Sequence, residues 1–356
     1  LVFLGLISIL RLPGSETPQP INREKEEISL PEPEYNTERE IFSESLSEWV
    51  SRFDEIDPIN SILISQHGEL VTEEYFGSMH ANRAHNIKSA SKSILSVLTG
   101  IAIEQDYLEG VDQEIGGFFP EYFKENPDSV KASITIGDLL TMRSGLASTS
   151  RANYGRWVTS SHWVHYALDR PLTGKPGVDR TYSTGNTHLL AVILARASGM
   201  NTLEFANRYL FDPMDIRIRG WDRDPQGNYL GGNNMAIIPR DMIKLGQLMM
   251  NMGVYNGKQL VSGEWITRSI EPVTGRRTGI NNYGFLWFRR MSGNFHVAYA
   301  FGNGGQYIMI LPELEAVISV TTRNNTSEST RNYRRELFRQ LDSEVIPRLA
   351  ASFAPA

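Results

Sequence analysis

Four β-rich runs stand in series toward the C-terminal end of the sequence: 283–290 (YGFLWFRR), 295–302 (FHVAYAFG), 305–313 (GQYIMILPE) and 316–324 (AVISVTTRN). The gaps between them hold only a few residues. Parallel strands need a long crossover, so this spacing predicts consecutive antiparallel hairpins. Two further β-rich runs, 61–65 and 69–76, flank a His67-Gly68 turn near the other end of the body. From 89 to about 270 helical periodicity dominates, most clearly over 89–105, 136–143, 186–199, 202–210 and 239–252. Amphipathic runs over 42–57 and 330–350 add a helix at each end. Strands at both ends and helices between predict an α+β fold of the α/β-sandwich type. One antiparallel sheet is built from both chain ends and flanked by helices, with a mainly helical subdomain inserted.

Charge separates this body from what precedes it. The 356 residues carry 35 Lys+Arg and 41 Asp+Glu, a formal net charge of −6. Residues 1–48 contain ten Glu and four basic residues, and 49–356 contain 31 of each sign. The acidity is therefore local, and net charge predicts no sign for a substrate. An acidic balance also argues against a nucleic-acid partner. The chain starts at Leu1 with an apolar run, LVFLGLISIL, too short to span a bilayer by itself. Residues 1–11 read as a leader or membrane-anchor remnant; the alternative is a segment packed on the domain. No Ala-x-Ala cleavage site follows, which favours an uncleaved anchor. Residues 12–40, rich in Glu and Pro, read as a solvated linker. These segments predict an extracytoplasmic protein, periplasmic or tethered to a membrane. The remaining domain is 41–356, with its sheet part at about 41–105 and 275–356 and its helical part at about 106–274.

Several chemistries drop out at once. There is no cysteine, so disulfides, cysteine-ligated metal and a thiol nucleophile are excluded. No Ser has Gly at both −2 and +2, so the usual α/β-hydrolase elbow is absent. The seven His form no His-Glu-x-x-His pair, and no metal site is expected.

One of the eight lysines, Lys92, has a Ser three residues before it, Ser89. Asn86 can cap a helix whose first turn carries Ser89. The residues that follow, Ile94, Leu95, Val97, Leu98, Ile101 and Ala102, make that helix apolar nearly all round, and Ala90, Ser93, Ser96 and Gly100 permit close packing. A Lys in its first turn is then buried, and burial lowers the amine pKa. At i and i+3 the hydroxyl and amine share one face, so the amine can accept the Ser89 proton. The alternative is a Lys whose stem packs on the helix and whose amine reaches solvent.

Two more elements stand out. Tyr182 lies in a Tyr-Ser-Thr-Gly-Asn run between a Gly- and Pro-rich turn and an apolar helix, where its hydroxyl can point into a cleft and relay protons. Tyr154 and Tyr166 compete for that part from the aromatic stretch 151–168, and a Tyr that only caps a turn is the plain reading. Gly302-Asn303-Gly304-Gly305-Gln306 leads into a strand, where glycines let a ligand approach the backbone. A simple hairpin turn accounts for the same residues, and Arg277-Thr278-Gly279 is a rival.

As a set these elements resemble the serine β-lactamase and penicillin-binding-protein superfamily, nearest to class C β-lactamase-related esterases and amidases such as 6-aminohexanoate-dimer hydrolases. The resemblance covers about 45–345 and rests on NIKSASKSILSVLTGIAIE, ITIGDLLTMRSGL, TYSTGNTHLLAVILARASG, IIPRDMIKLGQLMMNMGVYNGKQLVSGEW, YGFLWF and FGNGGQYIMILPE, in that order. It implies a β-lactamase/transpeptidase-like fold and a serine hydrolase of a small ester or amide that needs no cofactor. Ser89 matches the acylated nucleophile, Lys92 the general base and Tyr182 the Tyr of the Tyr-x-Asn motif, whose third position here is Thr184. Asn303-Gly304-Gly305 matches the Lys-Thr-Gly strand motif without its Lys or Thr, which counts against efficient β-lactam hydrolysis. Gln306 then gives the second oxyanion N–H beside that of Ser89. Alternatives are a β-lactamase or D-Ala-D-Ala carboxypeptidase, and a non-catalytic envelope binding protein of the same fold.

Overall fold

The structure is a computed structural model and describes residues 45–56, 58–272, 282–323 and 329–353. The leader at 1–11, the linker at 12–40 and the rival Arg277-Thr278-Gly279 lie outside the described residues.

Seven strands form the main sheet. β1 (Ile59–Gln66) and β2 (Glu69–Tyr75) make the first hairpin. β3 (Asn282–Tyr283), β4 (Phe288–Ser292), β5 (Phe295–Gly302), β6 (Gln306–Leu311) and β7 (Ala316–Thr322) follow after the helical stretch. Their order is β2-β1-β7-β6-β5-β4-β3, and the pairings are antiparallel. The two chain ends meet where β1 pairs β7, with Ile62 opposite Val320 and Ile64 opposite Ile318. This is the α+β sheet expected from the spacing of the runs.

Period-two alternation sends successive side chains to opposite faces. Leu63, Ala300, Ile308, Ile310 and Val317 join the core under the helical part. Ile62, Ile64, Val297, Tyr299, Tyr307, Met309, Ile318 and Val320 join the core on the other face. That second core takes its cover from Val50 and Phe53 of the first helical segment and from Leu337, Leu341, Val345, Ile346 and Leu349 near the C-terminal end. Both faces are buried, so the strands read as near-continuous apolar runs.

Three expectations change in detail. The run 283–290 is two strands, because Leu286 sits at φ 62° between them and its backbone is taken elsewhere. Its N–H donates to Leu140 O and its carbonyl accepts from Ser93 Oγ at 2.7 Å. The C-terminal helix is interrupted by a π-turn at Leu341–Val345 between Ser329–Gln340 and Ile346–Phe353. Helix Pro239–Met250, assigned above to the helical part, lies on the sheet against β7, β6 and β1.

Helix Ser91–Glu104 runs between the sheet and the helical part, and Ser91 through Ala102 are all buried. A second, small sheet pairs His85–Asn86 with Met235–Ile237 and that strand with Gly220–Trp221. It ties the segment just before Ser89 to the loop just before Met235.

Candidate active site

Ser89 is the middle residue of a single 3-10 turn, Lys88–Ala90, that enters helix Ser91–Glu104. Asn86 does not cap the α-helix as expected, because it belongs to the small sheet. Its Oδ1 accepts instead from Lys88 N–H at 2.9 Å. Lys88 has φ 52°, a left-handed conformation that a side chain adopts at some cost. The bend turns the chain from strand to helix at the serine. Ser89 is half-buried.

Lys92 is one turn further and only 2 % exposed. Its Nζ donates to Ser89 Oγ at 3.1 Å and to the carbonyl of Gly232. Burial pushes its ammonium down to about 7, and no charged neighbour contributes. The contact with Gly232 has a steric basis. Gly232 has φ 75°, and a Cβ there would sit 2.3 Å from Lys92 Cγ. At Gly231 a Cβ would sit 2.0 Å from Thr187 O. Two glycines let this loop press against both the lysine and helix Thr184–Ser198. The small sheet holds it from one side through Ile87 N–H to Met235 O at 2.9 Å, and Asn86 Nδ2 donates to Asn234 Oδ1 at 3.1 Å.

Tyr182 approaches the same pair. Lys92 Nζ lies 5.4 Å from its ring centroid, and Ser89 is among the groups that act on its phenol. Burial raises its pKa to about 12, against smaller opposing effects of Ser89, Arg180 and Arg151, so at neutral pH it carries its proton. Hydroxyl groups from 148–150 fix its backbone. Ser148 Oγ donates to Tyr182 O at 2.7 Å. Thr184 N–H donates to Ser150 Oγ at 2.8 Å, and Gly185 N–H to Thr149 Oγ1 at 2.8 Å. These two bonds satisfy the first free donors of the helix that Tyr182 precedes. Of the rival tyrosines, Tyr154 OH accepts at 2.6 Å from Nδ2 of Asn233, the neighbour of Gly232, and the Tyr166 ring packs near Arg170 and the Trp157–Trp163 cluster.

Thr184 is buried, with its hydroxyl 2.9 Å from that of Ser150. The Asn303–Gln306 turn joins β5 to β6, and both strands approach the Lys88–Ala90 turn. Asn303 is exposed, Gly304 O accepts from Thr322 Oγ1 at 2.9 Å, and Gly305 lies against Tyr333. Gln306 is wholly buried, pairs with Gly302, and its side chain donates to Thr322 Oγ1 and accepts from Thr322 N–H. The backbone beside the serine turn belongs to β5. Its pairing with β4 ends at Tyr299 opposite Phe288, so among the described residues Ala300–Gly302 runs on without a strand at that edge. The Lys88–Ala90 turn packs there, and a Cβ on Gly302 would come 2.1 Å from Ile87 O.

The Gly231-Gly232 loop and the Ser148-Thr149-Ser150 hydroxyls were not singled out from sequence. Their signals were a Gly-Gly pair and a run of three hydroxyl residues in loops. Among the described residues, no group of three or more His, Asp or Glu could hold a metal ion.

A family model described as beta-lactamase matches residues 60–342. The chain belongs to the beta-lactamase family. It is 23% identical over 243 residues to the 6-aminohexanoate-dimer hydrolase of Paenarthrobacter ureafaciens, covering 64% of this chain and 60% of that relative. The chain thus matches less than two thirds of that protein's length. Among solved structures it is similar to EstCE1, described as a hydrolase with promiscuous acyltransferase activity, at TM-score 0.65 and 16% identity over 82% of this chain and 97% of that one. It is also similar to a class C beta-lactamase from Rhodobacter sphaeroides, at TM-score 0.62 and 14% identity over 82% and 97%. At these identities the structural likeness shows the fold, a β-lactamase/transpeptidase-like one.

Proposed function

We propose that this chain is a serine hydrolase that cleaves an ester or amide bond of a small molecule through an acyl-enzyme on Ser89. The observation that carries the reading is a buried lysine amine on the Ser89 hydroxyl, with the Tyr182 ring centroid 5.4 Å from that amine. Family membership and the names of the relatives support a hydrolase; the geometry supports the assignment of roles.

Lys92, with a pKa of about 7, is substantially neutral at physiological pH and accepts the Ser89 proton as Oγ attacks the carbonyl carbon. Tyr182, which keeps its proton until about pH 12, is the donor rather than the base. It gives its proton to the leaving oxygen or nitrogen and is reprotonated from Lys92. The bond to the leaving group breaks, and an ester remains on Ser89. Water then attacks that ester, Lys92 takes the water proton, and the acid product leaves with Ser89 restored. The oxyanion is held by the Ser89 N–H and by a backbone N–H from the unpaired edge Ala300–Gly302, in place of the Gln306 N–H expected from the sequence. No lysine stands in β5, which supports an ester or amide preference over β-lactams. The apolar and then acidic character of residues 1–40 supports an extracytoplasmic, tethered setting.

A panel of p-nitrophenyl esters, 6-aminohexanoate dimer, D-Ala-D-Ala peptide and nitrocefin tests the reading. Turnover of an ester or linear amide that Ser89→Ala abolishes is expected. Nitrocefin as the only substrate turned over would contradict it.

A further inference from the structure

Helix Thr184–Ser198 buries a second polar pair that the acylation chemistry does not touch. His188 and Asp224 side chains have no exposed surface, and His188 Nε2 lies 3.1 Å from Asp224 Oδ2. The other ring nitrogen, Nδ1, accepts from the Gly231 N–H at 3.4 Å. A nitrogen that accepts carries no proton, so the proton of a neutral imidazole sits on Nε2 and points at Asp224. Asp224 is itself held by Gln226 N–H and Asn228 N–H on Oδ1 and Asn228 Nδ2 on Oδ2, at 2.8–2.9 Å. Trp157 and Trp163 each place a ring 5.6 Å from the His188 ring, edge-on, and close the site to water. Asp224 also influences His162.

The loop gripped in this way is the one that meets the base. Gly231 is held by its N–H on His188 and by its carbonyl, which accepts from Thr187 Oγ1 at 3.0 Å. The next carbonyl, Gly232 O, accepts from Lys92 Nζ. Helix residues on one turn thus clamp the residue directly before the lysine's acceptor. We infer that Asp224 and His188 are positioning residues: Asp224 holds His188 as its Nε2–H tautomer, and His188 fixes the Gly231-Gly232 loop so that Gly232 O aims the Lys92 amine at Ser89. This rests on Lys92 acting as the base for Ser89.

Two measurements test it. In protein labelled with ¹⁵N-histidine, the neutral His188 ring, identified by its loss in His188→Asn, is expected to show a bare Nδ1 and a protonated Nε2 at about pH 8.5. The other tautomer, with its proton on Nδ1, would overturn the inference. The second measurement is the single-turnover acylation rate with p-nitrophenyl acetate against pH. His188→Leu fills the space but accepts nothing; His188→Asn returns an acceptor, Oδ1, near the Nδ1 position. The rate is expected to fall by about tenfold or more in the Leu variant, because a small misplacement of a reacting group costs that much. Its midpoint moves to lower pH, since the ammonium loses an acceptor, and the Asn variant recovers most of both changes. An unmoved or raised midpoint, or an Asn variant no better than Leu, would reduce the pair to packing and overturn the inference. Fluorophosphonate labelling of wild type at Ser89, run on the same preparation, separates this from a failure of the hydrolase reading: an unlabelled wild type refutes the latter, whereas the histidine tautomer is read independently of it.

Discussion

Lys92 Nζ stands 3.1 Å from Ser89 Oγ, and the side chain that carries it is 2 % exposed. A lysine in that position is useful to the serine only when it has lost its proton. The burial that brings its pKa to about 7 is therefore part of the chemistry.

The first consequence is a pH profile. Below about pH 7 the amine is protonated and cannot accept the Ser89 proton, so acylation is expected to fall about tenfold per pH unit there and to level off above. Tyr182 stays protonated until about 12, so no descending limb is expected between pH 8 and pH 10. Presteady-state acylation by p-nitrophenyl acetate measures both limbs. A rate independent of pH from 5 to 9 would remove Lys92 as the base.

The same burial affects stability. The folded-state pKa lies near 7 and the unfolded value near 10.5, so the unfolded chain binds more protons between these limits. Stability from this group therefore rises with pH through that window, and the cost of the buried charge is greatest below about 7. Lys92→Met removes the charge and keeps the volume. It is expected to raise the melting temperature, most at pH 6 and least at pH 10, while acylation drops about 10²–10⁴-fold. Scanning calorimetry at the two pH values checks the sign.

Tyr182→Phe separates proton donation from attack. The variant keeps the ring beside Lys92 and loses the phenolic hydroxyl. A p-nitrophenolate needs little help to leave, whereas an alkoxide or amine does. The loss of rate is expected to be about tenfold or less on p-nitrophenyl acetate and about 10²–10⁴-fold on an ethyl ester or an amide. Equal losses on both would place Tyr182 outside leaving-group chemistry.

Gly232→Ala acts on the lysine without replacing any titratable group. The added Cβ meets Lys92 Cγ at 2.3 Å and must also adopt φ 75°. A stability loss of about 1–3 kcal/mol is expected from overpacking. Acylation is expected to fall about 10²-fold from displacing the amine. Urea unfolding and single-turnover kinetics read the two effects separately.

Much of this was legible in the sequence, and the divide follows how local each feature is. Ser89 and Lys92 are three residues apart on a run that is apolar all round, so their shared face and burial follow from helix geometry. The hairpin spacing of the C-terminal strands fixed the sheet's sense, and the pairing of β1 with β7 followed from having strands at both ends. What escaped depends on contacts between distant segments. Gly232 reaches Lys92 across 140 positions, and Ser148, Thr149 and Ser150 reach the Tyr182 segment across about 35. Gln306 was placed beside the serine because the resemblance matches Asn303-Gly304-Gly305 to a strand motif. Which stretch of backbone faces Ser89 is decided by where β4 stops pairing with β5, and sequence pattern does not mark that point. Helix Pro239–Met250 was grouped with the helical part for the same reason, since its periodicity shows an apolar face but not the sheet beneath it.

The central claim is that Ser89 is the nucleophile, and intact-protein mass spectrometry after treatment with a fluorophosphonate tests it most directly. Wild type is expected to gain one adduct, mapped by peptide digestion to the residues around Ser89, and folded Ser89→Ala is expected to gain none. A wild type that stays unmodified, or an adduct that persists in Ser89→Ala, would contradict the account.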